Sequence, residues 1–283
     1  MKLIKPHFEI LEQAPGLKGM KEQIEIAGRT CYKSNDKITE GSAEKFVNNM
    51  VKNSHCAMLE HGTVYLYFEY ASPLTDRNYM YLTDLRLAFE KNKYSKVKVL
   101  SPDNYMHHVY VTTNYRVIIE NHLEEALEFM CEPTEYHDKR ITVRFTSDIH
   151  FYKDCTRHRV MSWAIESTRF CNYLKEKFGS SISFAIPCWL KPEEEEEFKK
   201  DLEIVESLYF KWLGKGWKPE EAAYFLIQGT KAEIIMTGFV SDFYHFFDLR
   251  SELHVTGKPL PTVEELVEPL RQEFIKKGYV KYD

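Results

Sequence analysis

The 283-residue sequence predicts a mixed fold of strands and helices, because residues with strand periodicity and residues with helix periodicity occupy separate parts of the chain. After Gly62, apolar and polar side chains alternate as far as Tyr70, which is typical of a half-buried strand. Residues 141–149 predict a matching strand. After Pro192, apolar residues recur at helical spacing, and we expect this C-terminal half to be largely helical.

The remaining elements follow from local patterns along the chain. A helix containing Ile24 and Ala27 precedes a second helix, for which Ser42 is the N-cap candidate and which runs toward His55. Downstream we predict an amphipathic segment with Leu82, Leu85 and Phe89, a strand at 97–100, a helix built on Leu123, Leu127 and Met130, a long helix with Phe198 and Trp212, and helices after Pro219, at about 237–250 and at 263–276.

We expect these elements to form a single domain over residues 1–283, with an insertion at about residues 72–140. The insertion is not enriched in Pro, Gly or Ser, so it lacks the composition of a disordered linker. A lid and a contact between subunits are both compatible with this segment.

Composition and charge exclude several classes of function. The chain has 38 basic and 43 acidic residues, which argues against a broad nucleic-acid surface and leaves phosphate recognition to a few placed arginines. No apolar run approaches the roughly 18 residues of a membrane span, and the N-terminus lacks the apolar core of a signal peptide. The six cysteines include no CxxC pair. We therefore expect a cytoplasmic protein with reduced thiols and no metal site.

The richest chemistry lies in residues 154–173, which read DCTRHRVMSWAIESTRFCNY. An exposed basic patch would be the ordinary explanation for Arg157-His158-Arg159 alone. The fixed offset from these three residues to Ser167 occurs by chance in roughly one chain of this length in five hundred. If the start of the segment is helical, its basic side chains divide between faces, and some of them should point into a cleft.

This RHR-x7-S pattern, from Arg157 to Ser167, resembles the signature of the flavin-dependent thymidylate synthases. Two further segments are similar to that family: NSHCAMLEHGTVYLYFEY, with His55, Glu60 and His61, and TKAEIIMTGFVSDFYHFFDLR, which ends at Arg250. The resemblance covers residues 1 to about 71 and 141–283.

The residues in these two segments also have simpler explanations. Taken alone, His55, Glu60 and His61 could be metal ligands or polar caps at the end of a helix. The aromatic residues near Arg250 form a stripe typical of a packed core. His245 in that stripe fits a packed histidine and a flavin contact equally well.

The resemblance implies an α+β domain with a central antiparallel sheet flanked by helices, assembled as a homotetramer with shared active sites. It also implies a reaction in which the methylene group of 5,10-methylenetetrahydrofolate is transferred to C5 of dUMP to give dTMP. Reduced FAD supplies the hydride, and NADPH reduces the flavin again.

The resemblance assigns residue roles as well. Arg250 is the expected catalytic residue, because the family's arginine at this position polarises the pyrimidine ring near N3. The expected flavin-binding residues are His55, Glu60, Arg157, His158, Arg159 and His245. The expected substrate-binding residues are Asp154, Arg157, Glu166, Ser167, Thr168, Arg169 and Arg250. A guanidinium matches phosphate oxygens as a bidentate fork, so Arg169 is the candidate for the nucleotide phosphate.

Five positions depart from the family pattern. Ala164 and Ile165 replace an Asn-Glu pair, Ala223 replaces an arginine that binds nucleotide, and Phe239 and Ser241 replace an Asn and an Arg near flavin. Losing a cation beside a buried phosphate costs on the order of a few kcal/mol unless another cation substitutes. Two alternatives therefore stay open: a phage-type enzyme that hydroxymethylates or alkylates a pyrimidine nucleotide at C5, and a flavin- or nucleotide-binding module without turnover.

Overall fold

The structure is a computed structural model that describes residues 1–71, 77–102, 105–169, 171, 173 and 180–282. The chain divides into two compact units. Unit 1 comprises Met1–Ile10, Arg29–Asn35 and Val143–Asp283, and unit 2 comprises Leu11–Gly28 and Asp36–Thr142. Helices and mainly antiparallel sheets occur together, which confirms the predicted α+β class.

The strands in chain order are β1 Lys2–Ile4, β2 His7–Leu11, β3 Thr63–Ala71, β4 Lys96–Leu100, β5 Met106–Asn114, β6 Arg140–Asp148, β7 Ser162–Ile165, β8 Ser183–Ala185 and β9 Lys231–Phe239. The α-helices are α1 Gly16–Tyr32, α2 Ser42–Lys52, α3 Arg77–Glu90, α4 Tyr115–Glu120, α5 Ile149–Cys155, α6 Glu195–Gly214, α7 Pro219–Ala222, α8 Val240–Arg250 and α9 Pro261–Lys276. Short 3-10 helices cover Asn35–Lys37, Cys56–His61, Glu124–Phe129, Pro192–Glu194 and Ala223–Phe225.

Unit 1 is built on a four-stranded sheet in the order β2-β6-β9-β7. In this sheet β7 runs antiparallel to β9, with Ser162 opposite Thr237 and Ile165 opposite Ile234. Residues 234–239 of β9 are all buried, so the strand is covered on both faces. The chain passes from β9 directly into α8, and this connection fixes the position of Arg250 at the far end of that helix.

The helices α8 and α9 of unit 1 pack through aromatic side chains. The ring centroid of Phe274 lies 4.7 Å from that of Phe243 and 5.2 Å from that of Phe247, and all three residues are fully buried. Burial of aromatic rings of this size is a large source of stability. The aromatic stripe near Arg250 is therefore part of the packed core, as predicted from the sequence. Its packing holds in place α8, the helix that carries Arg250.

Unit 2 contains a three-stranded antiparallel sheet in the order β3-β5-β4. The pairing of β5 with β3 extends from Thr63 opposite Asn114 to Ala71 opposite Met106. The buried face of β3 carries Val64, Leu66 and Phe68, which belong to one apolar cluster with residues of α3 and β5. Most of the segment 72–140 thus shares a sheet and a core with β3, and its status as an insertion into one domain stays a prediction.

Many of the elements predicted from the sequence are confirmed, among them α1, α3, β3, β4, β6, α6 and α9. Four details are wrong. The strands β3 and β6 lie in different sheets. The helix expected from about residue 237 begins at Val240, because residues 231–239 are a strand. The helix expected on Leu123 and Met130 is a 3-10 helix, and the N-cap of α2 is Gly41, at φ 76°, instead of Ser42.

Three features are absent from the described part of the chain. No helix there has the length and hydropathy to cross a membrane. No group of three or more His, Cys, Asp or Glu side chains among these residues is arranged to hold a metal ion. All six cysteines are free thiols.

Candidate functional site

The Arg157-His158-Arg159 triplet lies in the loop between α5 and β7 in unit 1. The helical arrangement considered from the sequence is not formed, because α5 ends at Cys155. The loop is held by the backbone of His158, whose N–H donates to the Cys155 carbonyl at 3.1 Å. The His158 carbonyl accepts from the indole N–H of Trp163 at 3.2 Å. His158 is consequently buried, while Arg157 and Arg159 are exposed.

Arg250, the expected catalytic residue, is fixed by two partners at the end of α8. Its Nη1 donates to Oδ2 of Asp154 at 2.5 Å, and its Nη2 donates to the Asp154 carbonyl at 3.2 Å. Its Nε donates to Nε2 of His158 at 3.2 Å. These three contacts use three of the five N–H groups of a guanidinium, so two remain for a ligand. The structure therefore brings Asp154, His158 and Arg250 together.

The imidazole of His158 is neutral at physiological pH. Burial, the positive charge of Arg250 and the neighbouring ring of His245 together lower its pKa to about 4, and burial has the largest effect. Because Nε2 accepts from Arg250, the ring proton resides on Nδ1. The rings of His245 and Phe246 on α8 meet His158 edge-on at 5.5 and 5.0 Å. His158 thus orients Arg250 without adding a charge of its own to the site.

A second group of charges, the lysine–glutamate cluster, consists of Lys33, Glu166, Lys231 and Glu233 in unit 1. Oε2 of Glu166 accepts from the Lys231 ammonium at 2.7 Å, from the Lys33 ammonium at 3.4 Å and from the Glu233 backbone N–H at 3.1 Å. Oε1 of Glu233 accepts from Lys231 at 2.6 Å and from Lys33 at 2.9 Å. The cluster therefore joins the chain after α1 to the end of β7 and to β9.

The members of this cluster stabilise one another's charged forms. Burial opposes ionisation of Glu233, but the ammonium groups of Lys231 and Lys33 outweigh it and lower the Glu233 pKa to about 2. Burial likewise opposes the charge of Lys33, yet Glu166 and Glu233 raise its pKa above the ordinary value. The cluster is a charge-balanced network, which offsets the cost of burying its charges.

The predicted nucleotide-binding segment follows Glu166 directly. The N–H of Ser167 donates to the Cys31 carbonyl at 3.0 Å, and Oγ of Ser167 accepts from the Arg169 backbone N–H at 3.2 Å. The Arg169 side chain is 68% exposed, and its Nε donates to Glu220 at 3.1 Å. An exposed ion pair of this kind contributes at most about 1 kcal/mol, so a phosphate can replace it. Thr168 is half-buried beside these residues.

One family model matches the part of the chain that contains most of these residues. The family model described as thymidylate synthase complementing protein matches residues 133–270. Residues 133–270 are therefore similar to this family. The matched region contains the RHR-x7-S pattern, the lysine–glutamate cluster apart from Lys33, and Arg250. The recognition of flavin-dependent thymidylate synthase motifs between Arg157 and Arg250 is thereby confirmed.

Two curated relatives are named flavin-dependent thymidylate synthase. The flavin-dependent thymidylate synthase of Pyrococcus furiosus is 31% identical over 139 residues, which is 47% of this chain and 54% of the relative. The enzyme of Pyrococcus abyssi is 31% identical over 96 residues, which is 33% of this chain and 38% of the relative. The chain thus spans about half or less of the length of the curated relatives it matches.

Solved structures give a weaker comparison. A UMP/dUMP methylase, PolB from Streptomyces cacaoi bound with 5-Br dUMP, is 13% identical and has a TM-score of 0.45, with coverage of 98% of this chain and 93% of PolB. At that score the likeness carries no argument about fold or activity. The α+β class rests on the strands and helices described above.

The other two predicted flavin-binding residues lie in unit 2, outside the region that the thymidylate synthase complementing protein family matches. His55 is exposed and precedes the 3-10 helix Cys56–His61. The Glu60 carboxylate accepts from Nη1 of Arg116 at 2.6 Å, and Arg116 also pairs with Glu120 at 2.9 Å. The segment 72–140 therefore supplies a cation to a carboxylate that the family resemblance assigns to flavin.

The positions that depart from the family pattern differ in their surroundings. Ala164 is buried in β7 and Phe239 is buried at the end of β9, so both pack in the interior. Ile165 and Ala223 are half-buried, and Ser241 is exposed on α8. Neither alanine supplies a charge. The apolar replacements thus remove polar groups from unit 1 without creating a gap in its sheet.

Three members of the lysine–glutamate cluster were not predicted from the sequence. Lys33 follows α1 at the end of a short motif and has no directly adjacent charged residue in sequence. Lys231 and Glu233 lie within a segment similar to the family but were assigned no role. Their separation of two residues on one strand places both side chains on the same face, and this spacing was a usable signal.

Proposed function

We propose that this chain is a flavin-dependent thymidylate synthase that converts dUMP to dTMP. The observation that carries the proposal is the attachment of Arg250 to Asp154 and His158, inside the region that matches the family model. Methylation of the pyrimidine needs no cysteine nucleophile if a fixed cation polarises the ring. Arg250 is such a cation, because its orientation is set by two residues of the segment 154–173.

The donor set of unit 1 is suitable for FAD. Among the residues that the structure describes, Arg157 and Arg159 are exposed cations with no ion pair, and they flank the buried, neutral His158. Two guanidinium groups suit the diphosphate of FAD, and the exposed ring of His245 offers a planar contact. When bound, FAD supplies the hydride for the reductive methylation. For unit 2, His55 and Glu60 stay predicted flavin-binding residues.

The role of Arg250 follows from its unused N–H groups. Two of them are available to donate to acceptors on the pyrimidine ring near N3. This polarises the ring and raises the electron density at C5, which favours attack by C5 on the one-carbon donor. Asp154 stabilises the guanidinium and fixes its direction, so its reorganisation cost during the reaction is small. Asp154 is therefore proposed to position Arg250 and to have no direct contact with the reacting carbon.

The nucleotide phosphate is proposed to bind at Ser167 and Arg169. The hydroxyl of Ser167 and the exposed guanidinium of Arg169 supply a donor and a cation within three residues of sequence. The contact between Glu220 and Arg169 is an exposed ion pair, which a phosphate dianion can displace. Thr168 and Glu166 complete the predicted substrate segment. Ala223 supplies no cation, so we expect weaker phosphate binding than in members that have arginine there.

The co-substrates and the assembly are proposed on the family resemblance. They are 5,10-methylenetetrahydrofolate as the one-carbon donor, NADPH as the reductant of the flavin, and a homotetramer with shared active sites. We also propose a single domain in which residues 72–140 are an insertion.

The proposal is tested with purified full-length protein, FAD, dUMP, the folate donor and NADPH. We expect release of tritium from [5-³H]dUMP together with formation of dTMP, and growth of a thymidine auxotroph that carries the gene. A hydroxymethylated or otherwise alkylated nucleotide, identified by mass spectrometry, would instead support the C5-alkylating alternative. A yellow protein that binds dUMP but releases no tritium would support the binding module and contradict the proposed activity.

A further inference from the structure

We propose that Lys33 is a positioning residue that holds the Ser167 segment in the conformation that binds the nucleotide. This inference rests on the proposed function. No sequence pattern used above assigns a role to Lys33, and it lies outside the region matched by the family model. The proposal comes from the contacts that residues 31–33, at the end of α1 and directly after it, make with the chain that follows β7.

Two contacts from this segment reach two consecutive residues of the nucleotide-binding segment. The carbonyl of Cys31 accepts from the N–H of Ser167 at 3.0 Å, and the ammonium of Lys33 donates to Oε2 of Glu166 at 3.4 Å. Lys33 also donates to Oε1 of Glu233 at 2.9 Å. Both the main chain and a side chain of residues 31–33 therefore fix the direction in which Ser167 leaves β7.

The backbone of Lys33 is consistent with a specific role for its side chain. Its φ is 46°, in the left-handed region that residues with a Cβ rarely adopt. Such a conformation persists where surrounding contacts require it. Here the left-handed residue is the one whose ammonium reaches two carboxylates of the cluster.

Charge explains why the loss of Lys33 should affect an anionic ligand. With Lys33, two ammonium groups balance the carboxylates of Glu166 and Glu233. Without it, two carboxylates share the single ammonium of Lys231, and one negative charge is left uncompensated. The Glu166 side chain is only 3% exposed, so water screens that charge poorly. The excess charge lies next in sequence to Ser167 and repels a nucleotide phosphate.

The fold itself should survive the loss of Lys33. Lys231 holds Glu166 at 2.7 Å and Glu233 at 2.6 Å independently of Lys33. The backbone bond from the Glu166 N–H to the Glu233 carbonyl, at 2.8 Å, also remains. A Lys33 variant therefore keeps the β7–β9 connection and the backbone bond from Ser167 to Cys31, and it loses the side-chain link from Lys33 to Glu166 and Glu233.

The test compares Lys33→Met, Lys33→Arg and the matched control Lys258→Met, which removes an exposed lysine of unit 1. For Lys33→Met we expect the Kd for dUMP by calorimetry and the KM to rise about tenfold, with kcat and flavin absorbance changed less than about twofold. Amide hydrogen exchange at residues 166–169 should accelerate in the same variant. Lys33→Arg should restore most of the affinity, and Lys258→Met should match the wild type.

The outcomes separate this inference from the proposed function. A wild-type protein that binds no dUMP overturns the proposed function and this inference with it. A wild type that binds dUMP, with an unchanged Kd in Lys33→Met, overturns the inference alone. A joint loss of flavin, kcat and thermal stability in Lys33→Met, which Lys33→Arg does not rescue, would also overturn it, because it indicates a general structural role.

Discussion

The Nε–H of Arg250 donates to Nε2 of His158 across 3.2 Å, so the histidine of the RHR triplet acts as an acceptor for the residue expected to polarise the substrate. This contact needs a neutral imidazole, which burial beside a guanidinium provides. The two arginines of the triplet stay exposed on either side. One histidine thus links the proposed flavin-binding residues to the proposed catalytic arginine.

Replacement of Arg250 by alanine should abolish most of the dTMP formation while the protein keeps its flavin absorbance. The reason is that the guanidinium contacts Asp154 and His158 and is expected to reach the pyrimidine, whereas Arg157 and Arg159 are the expected flavin cations. We expect a fall in kcat of at least about a hundredfold, measured by tritium release. Arg144→Ala, which removes a surface arginine paired with Glu9, is the matched control. Near-normal turnover in Arg250→Ala would disprove the assigned role.

Replacement of Arg157 by alanine should weaken flavin retention. An exposed guanidinium without an ion pair in the described structure has its full donor capacity available for a phosphate. We expect the Kd for FAD, from quenching of flavin fluorescence, to rise about tenfold, and Arg159→Ala to act in the same direction. Arg144→Ala again serves as the control. Unchanged flavin affinity in both RHR variants would show that the cofactor binds elsewhere.

Stability should fall as the pH drops below about 6.5, and His158 should account for much of the loss. Its pKa is about 4 in the folded protein against an ordinary 6.5, so the unfolded chain takes up the proton first. The contribution is complete above pH 6.5 and disappears as the pH falls through 4, with a size on the order of 3 kcal/mol. Urea unfolding at several pH values should give a flatter profile for His158→Gln. The exposed His7→Gln control should keep the wild-type slope.

Two helical glycines should respond to alanine in opposite directions. An added Cβ at Gly19 in α1 would lie 1.9 Å from the backbone carbonyl oxygen of Ala14, whereas nothing lies within 4 Å of a Cβ at Gly214 in α6. Alanine normally stabilises a helix by up to about 1 kcal/mol relative to glycine. Gly214→Ala should therefore raise the free energy of unfolding slightly, and Gly19→Ala should lower it. Equal effects in denaturant titrations would contradict the close approach at Gly19.

The sequence predicted the elements whose periodicity is clear. Strand β3 has one buried face, so its alternation was visible, and the apolar residues of α3 and α9 recur at helical spacing. Strand β9 was missed because both of its faces are covered, which replaces alternation by a continuous apolar run next to a helix. For β5 the alternation around Val109 and Val111 was present, and the strand could have been predicted from it.

The sequence predicted which residues belong to the site better than it predicted how these residues contact one another. The motif pattern pointed to Asp154, His158 and Arg250, and the structure brings these three together. Arg250 lies 96 residues after Asp154 and 92 residues after His158 in the sequence. Contacts between residues so far apart leave no periodic signal in a single sequence. The lysine–glutamate cluster was hidden for the same reason, since Lys33 lies 133 residues before Glu166.

The pairing of β3 with β5 makes a deletion of residues 72–140 unfavourable. Strand β3 has nine residues, and β5, which lies within the segment 72–140, covers one edge of it along its whole length. A deletion of that segment would uncover this edge together with the apolar side chains of Leu66 and Phe68, a combination that favours association between chains. The segment 72–140 is therefore expected to tolerate substitutions far more easily than its own deletion.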